Sequence, residues 1–231
     1  MKKLFYLAFL VFFISCSTLK NAKNTTPKKE YVKIETDSGT MIAKLYNQTP
    51  RTTNNFVKLV KKHFYDGLLF HRVEKGFMIQ GGDPDSRHAK AEQILGNGSL
   101  KYTVPAEFDT SLFHEKGAMA MARETNDINP KKASSSTQFY IVEGRTFTDI
   151  EMNRIEEQFH IKIPESHREI YKTIGGAPFL DMNYTVFGQV ISGLDVIDKI
   201  AHAAKDRNDR PLHDIKMKII LLKRNEYRKY L

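Results

Sequence analysis

The chain has 231 residues, of which 41% are hydrophobic and 27% charged, so it can bury a core as one large domain or two small ones and is too apolar for a disordered polymer. No apolar run reaches the roughly 18 residues of an ordinary transmembrane helix. The formal net charge is +9, but the basic residues are scattered in pairs such as Lys61-Lys62 and Lys131-Lys132, with no run of five, so nucleic acid is not an expected partner.

Lys2-Lys3, an apolar run from Leu4 to Ile14, and Ser15-Cys16-Ser17 form a secretory-signal pattern too short to span a bilayer. Cys16 is the only cysteine, which excludes an intramolecular disulfide and a cysteine zinc cluster. The segment resembles a bacterial lipoprotein signal, although Phe13 stands where Leu is usual. That resemblance implies a signal peptide over 1–15, a lipidated Cys16 and a flexible tether over 16–29. It also implies a lipid-anchored membrane protein of the bacterial cell envelope, facing the periplasm. The alternative is a plain signal peptide with an incidental cysteine.

Tyr31 to Thr36 alternates with period two, Asp37-Ser38-Gly39 turns, and Met41 to Tyr46 follows, which predicts a hairpin. Phe56, Leu59, Val60 and His63 have helical spacing, with Thr52-Thr53 as the expected N-cap. Short strands are expected at 68–73, 77–80, 117–122, 138–142, 185–190 and 216–222, with an irregular loop over 83–102. Asp195 to Ala203 predicts a second helix. Thr148 to Glu151 is a capping box leading into Met152, Ile155 and Phe159, and Pro164 opens another helical run ending at Gly175-Gly176. Residues 146–176 therefore read as a helical insertion. Many short strands without βαβ alternation predict a mainly β fold, a closed antiparallel barrel.

Several motifs fail. Gly96-Asn97-Gly98 begins like a dinucleotide loop, but Lys101 stands where its third glycine belongs. Asp83-Pro84-Asp85 begins like a calcium loop, but His88 and Ile94 occupy its glycine and acidic positions. The eight histidines form no HExxH pair, so no metal site is expected. Ser134-Ser135-Ser136 lacks a nucleophile elbow.

Four motifs hold together in order: Phe70-His71-Arg72-Val73 with Gly76 to Asp83; Gly117 to Arg123 (GAMAMAR); Ser136 to Tyr140; and Phe179-Leu180-Asp181 with Tyr184 to Gly188. Together they resemble the cyclophilins, a family of peptidyl-prolyl cis-trans isomerases, from about Tyr31 to Leu222. The resemblance implies an isomerase domain over 30–225, folded as a closed eight-stranded antiparallel barrel capped by two helices and interrupted by the insertion. Its partners would be proline-containing polypeptide clients. A monomer is expected. The reaction breaks no bond, so no cofactor is expected.

Residue by residue, the resemblance places Arg72 at the catalytic arginine, with Gln80 orienting it and contacting the substrate backbone. Phe77, Met78, Tyr140 and Leu180 fall at the apolar proline pocket. The family usually has Phe where Tyr140 stands, so a hydroxyl is expected at the pocket rim. Ala122, Arg123 and Gln138 fall along the groove for residues preceding the proline. Many relatives have Asn in place of Arg123, whose charge favours acidic substrate residues. Phe179 replaces a Trp and Tyr184 a His found in relatives. Phe139 and Phe187 are assigned to the core. His71 is expected to be a buried hydrogen-bonding residue rather than a base. Two other readings stand beside the enzyme: a non-catalytic peptide-binding module or chaperone using the same groove, and a scaffold working through the insertion.

Overall fold

The structure, a computed structural model, describes residues 30–230; the signal segment 1–15, Cys16 and the tether 16–29 lie outside the described residues. β1 (Tyr31–Thr36) and β2 (Gly39–Leu45) form the hairpin, with Ile34 opposite Met41. Alternation sends Val32, Ile34, Met41, Ala43 and Leu45 inward, while Lys33 and Glu35 pair at 2.6 Å outside. α1 (Pro50–Lys61), β3 (Phe70–Glu74), β4 (Met78–Gly81), β5 (Thr103–Val104), β6 (Ala118–Met121), β7 (Ser134–Ser135) and β8 (Phe139–Val142) follow. Then come α2 (Asp149–Phe159), α3 (Glu165–Thr173), β9 (Val186–Ser192), α4 (Leu194–Ala201), β10 (Met217–Leu221) and α5 (Arg224–Tyr227). Among the described residues no helix is long and apolar enough to cross a membrane.

Eight strands make one antiparallel sheet in the order β10-β1-β2-β9-β6-β8-β4-β3, and β5 and β7 make a separate two-stranded ladder that the sequence pattern did not predict. The sheet curls into a half-barrel, not the closed barrel expected. β10 follows β1 along its length, and Lys216 just before it bridges Leu69 just before β3, with the Met217 amide donating to the Leu68 carbonyl at 2.8 Å and the Phe70 amide to the Ile215 carbonyl at 2.9 Å. Beyond that bridge the loop 205–211 covers the β3 edge: the Val73 amide donates to the Asp209 carbonyl at 2.8 Å, and Lys205 Nζ donates to the Val73 carbonyl at 3.1 Å. An edge strand needs partners for its backbone groups, and here a loop supplies them in place of a closing ladder.

The concave face holds the main core. Phe56, Tyr65, Phe139 and Phe187 meet there, with Phe56 edge-on to Phe139 at 5.5 Å, so Phe139 and Phe187 are core residues. α1 buries Phe56, Val57, Leu59 and Val60, and α4 buries Val196, Ile197, Ile200 and Ala201. The N-cap of α1 is Thr49, followed by Pro50, and its side chain makes no capping bond; Thr52 and Thr53 lie inside the helix. The orphan amides of Arg51 and Thr52 instead donate to the Glu107 carboxylate at 3.0 and 2.8 Å. A carboxylate there also complements the positive end of the helix. Glu107→Ala should therefore lower stability by about 1 kcal/mol, the usual size of a lost cap. Urea unfolding would show it as a lower midpoint with an unchanged slope.

The insertion forms two helices. The Thr148–Glu151 capping box opens α2: Glu151 accepts the Thr148 amide at 2.8 Å and its own amide donates to Thr148 Oγ1 at 3.3 Å. Met152, Tyr171, Phe147 and Ile163 make a separate small core. Gly176 lets this unit sit close to the sheet, because a Cβ there would lie 2.2 Å from the His114 carbonyl oxygen. α5 was not expected; its Tyr227 stacks on Tyr31 with ring centroids 4.0 Å apart.

Candidate active site

The site lies on the convex face of β4, β8 and β6, and the two-residue period explains why. Ile79, Phe139, Ile141, Met119 and Met121 point into the core, so Met78, Gln80, Tyr140, Val142, Ala118 and Ala120 point outward. The register sets Gln80 between Arg72 on β3 and Tyr140 on β8. Ala118 and Ala120 are buried in an apolar cluster with Met78, Tyr140, Val142 and Leu180. A cleft of about 190 Å³ remains, lined by Arg72, Phe77, Met78, Gln80, Ala122, Arg123, Tyr140, Leu180 and Tyr184. Nine of the eleven residues singled out for catalysis or substrate binding therefore meet around one cavity. Phe179 sits just outside it, its ring 5.5 Å from Phe77 and 6.1 Å from Phe159 of α2. Gln138 lines an adjoining groove of about 350 Å³ that shares Gln80, Ala122 and Arg123 with the cleft.

A polar ladder runs along the boundary between cleft and groove. Arg72 Nη1 donates to Gln80 Oε1 at 3.3 Å, Gln80 Nε2 donates to Gln138 Oε1 at 3.1 Å, and Gln138 Nε2 donates to the carbonyls of Gly96 and Gly98 at 2.8 and 2.7 Å. Arg72 also pairs with Glu74. A guanidinium has five N–H donors, so these two partners leave others free for a ligand. The 96–98 loop that fails as a dinucleotide motif is thus a groove wall. Asp83, which fails as a calcium ligand, pins that loop by accepting the Gly96 amide at 2.5 Å and the Gly98 amide at 3.3 Å. A Cβ at Gly98 would lie 2.0 Å from Asp83 Oδ1, so the glycine is there for close approach. The Asx turn Asp83-Pro84-Asp85 was its sequence signal.

Two expectations need correction. The Tyr140 hydroxyl is not at the rim: it lies beneath the pocket, 2.9 Å from His114 Nε2, and burial pushes it well above the usual phenol range. His71 is buried as expected, but neither ring nitrogen has a well-formed hydrogen-bond partner. Burial lowers its pKa to about 4, so the ring is neutral near pH 7. Arg123 donates Nε to the Asn183 carbonyl at 2.7 Å and Nη1 to the Glu124 carbonyl at 2.8 Å, with its guanidinium 4.6 Å above the Tyr184 ring. His114 and Asp181, hydrogen-bonded at 2.8 Å, were not picked out as a pair, because 67 residues separate them.

The model of the family described as "Cyclophilin type peptidyl-prolyl cis-trans isomerase/CLD" matches residues 31–220. A Staphylococcus aureus (strain USA300) protein named as a candidate peptidyl-prolyl cis-trans isomerase is 35% identical over 185 residues, covering 80% of this chain and 87% of its own length. A Staphylococcus haemolyticus counterpart, named in the same way, is also 35% identical, with 80% and 86% covered. A crystal structure of a Cryptosporidium parvum cyclophilin-type isomerase superposes with TM-score 0.63 at 22% identity, covering 85% of this chain and 99% of that one. A second crystal structure of a Cryptosporidium parvum cyclophilin-type isomerase, obtained in the presence of the dipeptide Ala-Pro, gives 0.59 at 23% identity, covering 84% and 99%.

Proposed function

Because this chain belongs to the cyclophilin-type peptidyl-prolyl cis-trans isomerases, we propose that it accelerates X–Pro rotation in proteins folding in the bacterial cell envelope, with Arg72 as the catalytic group. Rotation about the bond faces a barrier of about 18–20 kcal/mol because the amide is conjugated. Two things lower it without breaking a bond. The apolar walls of Phe77, Met78, Tyr140 and Leu180 hold the proline ring while the preceding carbonyl turns. A guanidinium N–H donated to the prolyl nitrogen favours the pyramidal, deconjugated amide at the top of the barrier. Such a bond strengthens only as conjugation is lost, so it binds the transition state better than the ground state. Each tenfold in rate corresponds to about 1.4 kcal/mol.

The observation that carries this reading is Arg72 standing with Phe77, Met78, Tyr140 and Leu180 around one cleft, with Gln80 bonded to its Nη1 at 3.3 Å. Gln80 fixes the fork's orientation, and residues preceding the proline lie toward Gln138, Ala122 and Arg123. Phe179 and Tyr184 border the cleft on its other sides. A module that only bound peptides could tolerate loss of this arginine, whereas here Arg72, Phe77, Met78 and Gln80 are all present. The test is the refolding of a protein whose slow phase is X–Pro isomerisation. Catalytic amounts of this protein should shorten that phase, and an unchanged phase would refute the reading.

The second part of the proposal is anchoring through a lipid on Cys16, supported by the basic start, the short apolar run and the single cysteine at its end. One acyl chain holds weakly and several hold stably. Cells fed labelled fatty acid should label the wild type, and Cys16→Ala should be unlabelled and released from the membrane fraction. A soluble, unlabelled wild type would show that the cysteine is incidental.

A further inference from the structure

Beneath the cleft runs a buried chain of hydrogen bonds that the rotation scheme does not use. Tyr171, on α3, donates Oη to Asp181 Oδ2 at 2.7 Å. Asp181 Oδ1 accepts the His114 amide at 2.9 Å and lies 2.8 Å from His114 Nδ1. His114 Nε2 lies 2.9 Å from the Tyr140 hydroxyl. All four residues are buried, His114 and Tyr171 completely. The chain begins in the insertion and ends on a wall of the proline pocket.

The direction of each bond follows from what the groups can do. A carboxylate only accepts, so His114 carries a proton on Nδ1, and in the tautomer with that single proton Nε2 accepts from Tyr140. Burial raises both tyrosine hydroxyls well above their usual range, so both keep the protons they donate. Tyr140 needs this tether. Its cross-strand neighbours on the convex face are Gln80 and the small Ala120, Tyr184 meets it edge-on at 5.8 Å, and the His114 ring lies parallel to it at 6.0 Å, so His114 both bonds and packs against the ring. Asp181 directly follows Leu180, so the same carboxylate also holds a second wall of the pocket. α3 grips the His114 segment once more through Phe113, which stacks on His167 at 3.8 Å and meets Tyr171 edge-on at 5.6 Å.

We propose that Tyr171, Asp181 and His114 are positioning residues that lock Tyr140 and Leu180 in place, so that the helical insertion sets the shape of the proline pocket. The proposal rests on the isomerase reading above. Arg72 is untouched by the relay, so breaking the relay loosens the hold on proline and weakens binding more than it slows rotation of bound substrate.

The test uses the full-length protein and an Ala-Pro tetrapeptide as substrate. Tyr171→Phe removes one hydroxyl in the insertion, more than one side chain away from the cleft. Asp181→Asn keeps the shape but lets an amide donate to Nδ1, which favours the opposite imidazole tautomer. Thr148→Ala weakens the α2 cap without touching the relay. The readouts are KM, kcat, the peptide dissociation constant and the ¹⁵N chemical shifts of His114. We expect Tyr171→Phe and Asp181→Asn to raise KM and the dissociation constant at least fivefold with a smaller fall in kcat, and Asp181→Asn to switch the His114 tautomer. Thr148→Ala should lower the melting temperature and leave KM within twofold. The proposal is overturned if Tyr171→Phe leaves both KM and the dissociation constant within twofold, or if Thr148→Ala moves them as far. If Asp181→Asn does not fold, Tyr171→Phe alone decides. Absence of catalysis in the wild type refutes the isomerase reading instead, and the dissociation constant and tautomer still judge the relay.

Discussion

Replacing Arg72 by alanine is expected to lower turnover at least tenfold while leaving the fold and melting temperature nearly unchanged. The side chain is 41% exposed, so its removal opens no core cavity. What it deletes is the guanidinium bonded to Gln80 at the cleft. A tenfold loss needs about 1.4 kcal/mol, and a charged hydrogen bond is worth about 1.5–3 kcal/mol, so the expected loss is between about tenfold and about 150-fold. Arg72→Lys should recover little of it. An ammonium on a flexible stem cannot bond Gln80, Glu74 and substrate through one rigid plane. Peptide isomerisation assays on the three proteins check this, and equal rates for wild type and Arg72→Ala would sink the mechanism.

The second large effect concerns recognition of the cyclic peptide cyclosporin. The resemblance to the cyclophilins implies that relatives binding it tightly generally have Trp where this chain has Phe179. A phenyl ring lacks the indole N–H, a neutral hydrogen bond worth about 0.5–1.5 kcal/mol. It also offers less apolar area, at about 25 cal/mol per Å². Together these predict an isomerase at least tenfold less sensitive to the drug than Phe179→Trp. Phe179 is half-buried between Phe77 and Phe159, and Phe159 is 41% exposed, so it can move aside for the larger ring. Substrate turnover should change little, because Arg72 and the proline pocket are intact. A cyclosporin titration of both proteins decides it. Inhibition of the wild type by stoichiometric drug, or equal sensitivity of the two, would show that position 179 does not control recognition.

The parts of this site that could be read in the sequence are those written in local period. Alternation through Phe139-Tyr140-Ile141 and Ala118-Met119-Ala120 already separates core from convex face, and the spacing from Arg72 to Gln80 becomes a cross-strand pair. Helices α1 to α4 followed from their apolar spacing and, for α2, from its capping box. What escaped depends on partners far apart in sequence. The half-barrel opens because a loop near Asp209 takes the edge of β3. The cap of α1 comes from Glu107, some 55 residues away. The His114–Asp181 pair has no spacing rule at all, and only the fold reveals that the Tyr140 hydroxyl points down to it rather than to the rim. Asp83 and Gly98 failed two motif tests because their pattern served a groove wall, where loop geometry, not a ligand, selects the residues.

The central claim is that the cleft under Arg72 catalyses X–Pro rotation. Exchange NMR on an Ala-Pro tetrapeptide tests it most directly, because it reads rotation and binding in one sample. With catalytic amounts of wild type, exchange peaks between the cis and trans forms should appear on a timescale where the free peptide shows none. With Arg72→Ala the peptide should still broaden on binding, yet the exchange peaks should weaken at least tenfold. Absence of exchange with the wild type, or equal exchange with both proteins, would contradict the account.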